Sequence, residues 1–352
     1  MQRWHLAVAA LVIGVVAGAG ALWLLAAPAL PDPGGFVSGD AGAQHELETL
    51  SPDAPLQLIV EPDDGIAPVE LAIRSASHSV DLTIYELEDD TIEKELADAA
   101  LRGITVRVIL EDLSSFGKHP NQQAFDYLKA HGVSIAWAPE YFPLSHEKAL
   151  IVDDREAFVM TFNLVPHYYA GSRDFAVADT DPADVAAIES AFDADWKGTG
   201  ARASSGNDLL WSPGAADALL LLISDASTSL DVYNEEMEDS RIIGALEAAS
   251  RRGVKVRIVM SYATRWKAAF AELVSKGIAL RTYASSAKTY IHAKALIEDG
   301  ARAFVGSQNF SAQSLDTNRE LGIFVARPEV VAKLLSLFQH DFSAARAYRV
   351  AP

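Results

Sequence analysis

Apolar positions along the chain change their period in a repeated order. SVDLTIY (79–85) is a short run rich in β-branched residues, the signature of a strand. TIEKELADAALRG (91–103) follows, with apolar residues every three or four places and a stop at Gly103, as an amphipathic helix requires. ITVRVIL (104–110) then reads as a strand again. The same order returns in SLDVYN (229–234), RIIGALEAASRRG (241–253) and VKVRIVM (254–260). Strand–helix–strand predicts an α/β fold with helices against a mixed, largely parallel sheet in each half. KALIVDD (148–154) and KALIEDG (294–300) predict one further strand apiece.

The two halves align residue by residue. Asp81 with Asp231, Glu86 with Glu236, Gly103 with Gly253 and Arg107 with Arg257 all stand 150 apart. Further on, His146 with His292, Asn163 with Asn309 and Arg173 with Arg319 stand 146 apart, as a net loss of four residues would leave them. This is duplication at domain scale, not a short solenoid repeat. The expected organisation is a first domain over 55–200, a Gly- and Ser-rich linker over 201–208 and a second domain over 209–350, related by a pseudo-twofold.

Residues 1–35 stand apart from the repeat, and 36–54 join them to it as a linker. Arg3 and His5 precede an uncharged apolar run, Leu6 to Leu30, long enough for a bilayer-spanning helix of about 20 residues. The run also contains Ala27-Pro28-Ala29, a small-residue pattern of the signal-peptidase type. A membrane anchor or a cleaved signal peptide is expected. Either places the bulk of the chain outside the cytoplasm, anchored there or secreted or periplasmic, with Arg3 inside. The absence of cysteine excludes disulfides, thiolate metal sites and a cysteine nucleophile. A net charge of −19 opposes binding of a long polyanion such as nucleic acid, because that affinity rests on Lys and Arg neutralising many phosphates.

The chemistry concentrates in HEKALIVDD (146–154) and HAKALIEDG (292–300). Each carries His, Lys two places on and Asp five places after the Lys: His146, Lys148 and Asp153, then His292, Lys294 and Asp299. Residues two apart on a strand share a face, so each imidazole projects with an ammonium. That pairing is suited to an anion. Two such pairs about a pseudo-twofold would gather around one phosphate. An imidazole titrates near ~6.5, so one neutral and one protonated ring can coexist near neutrality. Glu86, Glu235 and Glu236 follow the first strand of each half, where α/β folds place functional loops. Aromatics in WAPEYFPL (137–144) and VPHYYAG (165–171) flank the first motif as ordinary packing or as a wall for acyl chains.

The doubled His-x-Lys-x4-Asp resembles the phospholipase D superfamily. GSQN (306–309) and NREL (318–321) match that family's further motifs. MTFN (160–163) and SRDF (172–175) depart from it, with Met160 and Thr161 where Gly and Ser are usual and Asp174 where Glu is usual. The resemblance covers most of 55–345. It implies two α/β/α sandwiches sharing one interfacial site, and a two-step displacement at a phosphodiester without metal or other cofactor. One histidine forms a phosphohistidine, and the other protonates the leaving alkoxide and then activates the acceptor, water or an alcohol. Lys148, Lys294, Asn163 and Asn309 would clamp the phosphate oxygens. Asp174 and Glu320, at the same interval after His146 and His292, would each orient the histidine of its own half. Asp153 and Asp299 are expected to hold local structure. The leading expectation is a phospholipase D-type phosphodiesterase that hydrolyses or transfers phospholipid head groups at a membrane surface. A cardiolipin synthase-like phosphatidyltransferase and a secreted nuclease of the same superfamily are the alternatives.

Overall fold

In the computed structural model, residues 47, 50–112, 119–201 and 203–350 are described, all within one compact unit spanning Val37–Pro352. The anchor-or-signal segment and residues 36–46, 48 and 49 of the linker lie outside them. Among the described residues no helix is long and apolar enough to cross a membrane.

The first half contains strands β1 (Leu56–Glu61), β2 (Ser79–Ile84), β3 (Thr105–Leu110), β4 (Ser134–Trp137), β5 (Lys148–Val152), β6 (Glu156–Met160) and β7 (Ser172–Asp179). Its helices are α1 (Ala67–Ser75), α2 (Asp90–Leu101), α3 (Gln122–Ala130), α4 (Pro166–Tyr169) and α5 (Pro182–Trp196). The second half repeats them with β8 (Leu209–Ser212), β9 (Ser229–Tyr233), β10 (Lys255–Ser261), β11 (Ala279–Tyr283), β12 (Tyr290–Ile291), β13 (Lys294–Glu298), β14 (Arg302–Gly306), β15 (Glu320–Val325) and β16 (Arg346–Ala347). Its helices are α6 (Ala216–Asp225), α7 (Ser240–Arg251), α8 (Lys267–Ser275), α9 (Ala312–Asp316) and α10 (Pro328–Ala344).

Local chemistry sets these boundaries twice over. The Asp89 carboxylate accepts from the Thr91 and Ile92 amides at 2.8 and 3.4 Å and starts α2. Asp239 does the same for α7 from Arg241 and Ile242, at 2.8 and 3.2 Å. Such caps stabilise a helix by about 1 kcal/mol. Both helices end before a glycine at positive φ, Gly103 at 88° and Gly253 at 92°, a conformation that costs other residues strain. Behind them the Asp81 carboxylate takes the Arg107 guanidinium at 2.7 and 2.5 Å, directly across the β2–β3 ladder, and Asp231 takes Arg257 in the same way.

The expected parallel character is confined to β2–β3–β4 and β9–β10–β11, where helical crossovers join the strands. The other ladders within each half, β5–β6–β7–β1 and β13–β14–β15–β8 with their junctions to β2 and β9, are antiparallel. Each half therefore forms a mixed sheet, because short turns such as Asp153–Arg155 cannot return a strand in parallel. α1–α3 cover the outer face of the first sheet over Val69, Ile73, Leu96 and Leu128, and α6–α8 cover that of the second. A third core joins the halves. It combines Val159 and Val177 of one sheet, Ile297 and Val305 of the other, Phe192 of α5 and Phe338 of α10.

The seam between the halves is reciprocal. Ile291 bridges to Arg173 in parallel, and Ser145 bridges to Arg319 in the same sense. The side chains of these two arginines cross as well. Arg173 Nε donates to Asp341 of α10 at 2.7 Å, and Arg319 Nε donates to Asp195 of α5 at 2.8 Å. All four are buried, and Tyr233 adds its hydroxyl to Asp341 at 2.8 Å. A buried pair with one member removed strands the other charge. Asp341→Ala should therefore lower stability by about 3–5 kcal/mol in urea unfolding at pH 7. A loss below about 1 kcal/mol would mean that Arg173 does not depend on this partner.

Candidate active site

The two motif segments run into the start of β5 and of β13, with each histidine two residues ahead of its strand. Each lysine turns back on its own motif. Lys148 Nζ donates to the His146 carbonyl at 2.7 Å and Lys294 Nζ to the His292 carbonyl at 2.6 Å. Both lysines are wholly buried.

The carboxylates pair crosswise, which corrects the own-half pairing expected from sequence spacing. His146 Nδ1 lies 2.7 Å from Glu320 Oε2, and His292 Nδ1 lies 2.9 Å from Asp174 Oδ1. The seam is the cause. The His146 amide donates to the Arg319 carbonyl at 2.8 Å, so His146 meets the residue after Arg319. The Ala293 and His292 amides donate to the Arg173 carbonyl at 2.9 and 3.3 Å, so His292 meets the residue after Arg173. Equal spacing along the chain carries no information about which copy a side chain reaches.

The two carboxylates are themselves held. Thr161 Oγ1 donates to Asp174 at 2.6 Å, while Ser314 Oγ and Asn318 Nδ2 donate to Glu320 at 2.6 and 3.2 Å. Asn163 Nδ2 reaches Glu86 at 3.5 Å, and the Asn309 backbone N–H donates to Ser314 Oγ at 2.8 Å. The side-chain oxygens of both asparagines are buried without a hydrogen-bond partner. Asp153 and Asp299 lie at the far ends of β5 and β13. Asp153 accepts from the amides of Ser77, His78 and Ser79, and Asp299 from those of Ser227, Thr228 and Ser229. Both sit at positive φ, 54° and 52°, and those amide bonds outweigh burial and hold both carboxyls below their usual range.

Three tyrosines complete the surroundings. The Tyr85 ring lies 4.8 Å from His146, with Lys148 Nζ 5.1 Å from its centroid. Tyr168 stacks parallel to His292 at 6.2 Å, and Tyr290 lies at the same distance from it. Tyr85 and Tyr290 were missed in the sequence. Each was marked only by position, one closing β2 and the other two residues ahead of His292. Glu235 lies 3.1 Å from Lys294 Nζ and 3.4 Å from His292 Nε2, both through Oε2. Glu236 faces Arg265 instead, at 3.8 Å. Of the aromatics in 137–144, Trp137 stacks on Phe125 of α3. Tyr141 and Phe142 brace the seam: Tyr141 donates to Asp195 at 2.9 Å, and Phe142 lies under Arg319.

Electrostatics separate the halves. Burial pushes the His146 imidazole down to about 4, with Lys148 and Lys294 adding to the push and Glu320 opposing it. Burial likewise brings Lys148 down to about 7. Glu320 stays below its ordinary range, because His146 and Lys148 outweigh the effect of burial.

Two mixed α/β sheets, each carrying a His, Lys and Asn set, and two histidine–carboxylate pairs that cross between them define a duplicated α/β protein. The chain belongs to the phospholipase D superfamily: the family model "Cardiolipin synthase, PLD-like domain" matches it over residues 70–196 and 219–342. Among curated relatives, a cardiolipin synthase of Halalkalibacterium halodurans is 24% identical over 336 residues, covering 81% of this chain and 65% of that protein. A cardiolipin synthase of Staphylococcus aureus is 23% identical over 344 residues, covering 84% and 68%. The chain thus spans about two thirds of the length of these relatives. A phosphatidylserine synthase of Haemophilus influenzae shares the fold at 12% identity, with a TM-score of 0.65 over 87% of this chain and 92% of that one. A polyphosphate kinase of Porphyromonas gingivalis shares it at 17% identity and a TM-score of 0.62, over 81% of this chain and 50% of that one.

The crosswise pairing is testable ring by ring. Asp174→Asn should alter the imidazole nitrogen resonances of His292 in 15N-labelled protein and leave those of His146 in place. Glu320→Gln should do the reverse. A change confined to the histidine of the mutated half would restore the own-half arrangement.

Proposed function

We propose that this chain transfers phosphatidyl groups between alcohols at a membrane surface, in the manner of a cardiolipin synthase. One observation supports the reading: two histidines, each two residues ahead of a buried lysine, hold Nδ1 against a carboxylate from the opposite half. A carboxylate acceptor fixes the proton on Nδ1 and leaves Nε2 as the reactive nitrogen. The family match and the cardiolipin synthases among the relatives favour transfer over the simple hydrolysis of head groups, which uses the same first step.

The neutral His146 attacks phosphorus through Nε2. The bond from phosphorus to the head-group oxygen breaks, and His292 delivers its Nε2 proton to that oxygen. The product alcohol leaves, and a phosphatidyl group stays on His146. His292, now neutral, takes the proton of an incoming alcohol, whose oxygen attacks phosphorus and frees His146. Lys148, Lys294, Asn163 and Asn309 hold the non-bridging oxygens, where charge accumulates in both transition states. Water as the second acceptor gives hydrolysis. The net charge of −19 disfavours a nucleic-acid substrate.

The test is incubation of the protein with phosphatidylglycerol vesicles, with and without an added primary alcohol, followed by mass spectrometry of the lipids. Cardiolipin or the alcohol's phosphatidyl ester is expected. Phosphatidic acid alone in both arms would assign the enzyme to hydrolysis. His146→Ala and His292→Ala should each cut turnover by at least about a thousandfold, and non-additively, since the residues act as a unit. Only His146→Ala should abolish the covalent adduct seen in acid-quenched protein. For the free enzyme, kcat/KM should fall as pH rises through about 7, where Lys148 loses its charge. A rate still climbing to pH 9 would remove Lys148 from the clamp.

A further inference from the structure

The duplication is broken at one place in the site. Tyr85 and Glu235 hold the same position in the two halves, each directly ahead of a Glu in the aligned strand ends. In the first half that position lays a ring beside Lys148 and His146. In the second half it puts a carboxylate on Lys294 and His292. One oxygen of Glu235 lies against both side chains, at 3.1 and 3.4 Å. The other accepts from the Tyr290 hydroxyl at 2.6 Å.

This placement is built, not incidental. Asn234, wholly buried beside it, accepts from the Glu236 and Phe310 amides at 3.0 and 3.1 Å and donates to the Gln308 carbonyl at 3.3 Å. Those bonds pin the turn carrying Glu235 to the strand end carrying Asn309. Lys294 and His292 hold the carboxyl far below its ordinary range against the opposing effect of burial, so it is ionised wherever the enzyme works.

We infer that Glu235 is the resident anion of the second half's phosphate subsite and a specificity determinant that admits monoanionic phosphodiesters and excludes dianionic phosphates. The inference rests on the proposed phosphodiester chemistry and adds a residue to it. Lys294 Nζ has three donors, and two go to the His292 carbonyl and to Glu235, so a substrate oxygen on the third lies beside the Glu235 oxygen. The carboxylate stays close, tethered through Tyr290. A diester brings one negative charge to it. Orthophosphate or a monoester brings nearly two near neutral pH, and meets at Lys294 a repulsion beyond that of Glu86 beside Asn163. Asp174 faces Nδ1 of His292 and Glu235 faces Nε2, so both edges of that ring look onto a carboxylate.

Calorimetric titration of the full chain with inorganic phosphate and with dimethyl phosphate at pH 7.5 tests this without lipid turnover. Failure of the transfer reading is thereby kept separate from failure of the subsite. Glu235→Gln should bind orthophosphate about tenfold more tightly than wild type and gain less than threefold for dimethyl phosphate. Tyr290→Phe, which keeps the charge but frees its tether, should show a smaller gain in the same direction and guards against misfolding of the first variant. In the enzyme assay Glu235→Gln should lower the inhibition constant of orthophosphate in parallel and move the alkaline limb of kcat, as a merely structural glutamate would not. Unchanged phosphate affinity in both variants would overturn the subsite assignment. An equal gain for both ligands would overturn the charge selectivity.

Discussion

Everything in the site depends on two buried arginines that face the wrong half. Arg173 and Arg319 each hold a carboxylate from a helix of the other copy. Their carbonyls take the backbone of the other copy's histidine segment. A guanidinium with its own five donors can hold a carboxylate through Nε while its main chain is used elsewhere. One residue thus ties a helix, a strand and a histidine segment together. The price is two charges taken out of water on each side, tolerable only while the partners are in place.

The seam explains the order of the site. The register between β12 and β7 leaves no freedom as to which residue follows Arg173, and so none as to which carboxylate His292 meets. Asp174 is one methylene shorter than Glu320, yet both reach Nδ1, at 2.9 and 2.7 Å. The Thr161 hydroxyl on Asp174 steadies the shorter arm from behind. Two of the three departures from the family pattern, Thr161 and Asp174, therefore touch one another.

Much of this was legible in the chain. The periodicity of 79–110 and 229–260 gave strand, helix and strand, and the caps and glycines that bound α2 and α7 are local chemistry. The repeated His, Lys and Asn marked the site, because polar residues recurring in register across two copies are hard to attribute to packing. The antiparallel part of each sheet was harder to read. KALIV and EAFVM are continuous apolar runs, buried on both faces, and such runs do not encode direction. The crosswise carboxylates were illegible for a different reason. Sequence interval reports the local fold, whereas the partner was chosen by contact between copies. Glu235 and Tyr85 were visible only as a mismatch in an otherwise good alignment.

The mismatch has a consequence for how such a site can be made. Two separate identical chains meeting about a true twofold must present the same patch to one another, so any residue at the Tyr85 position would appear on both sides. An aromatic ring on one flank and a fixed negative charge on the other requires the copies to be covalently joined and separately spelled. Fusion thus contributes more than proximity: it lets the two copies present unlike flanks, and gives a symmetric frame a direction.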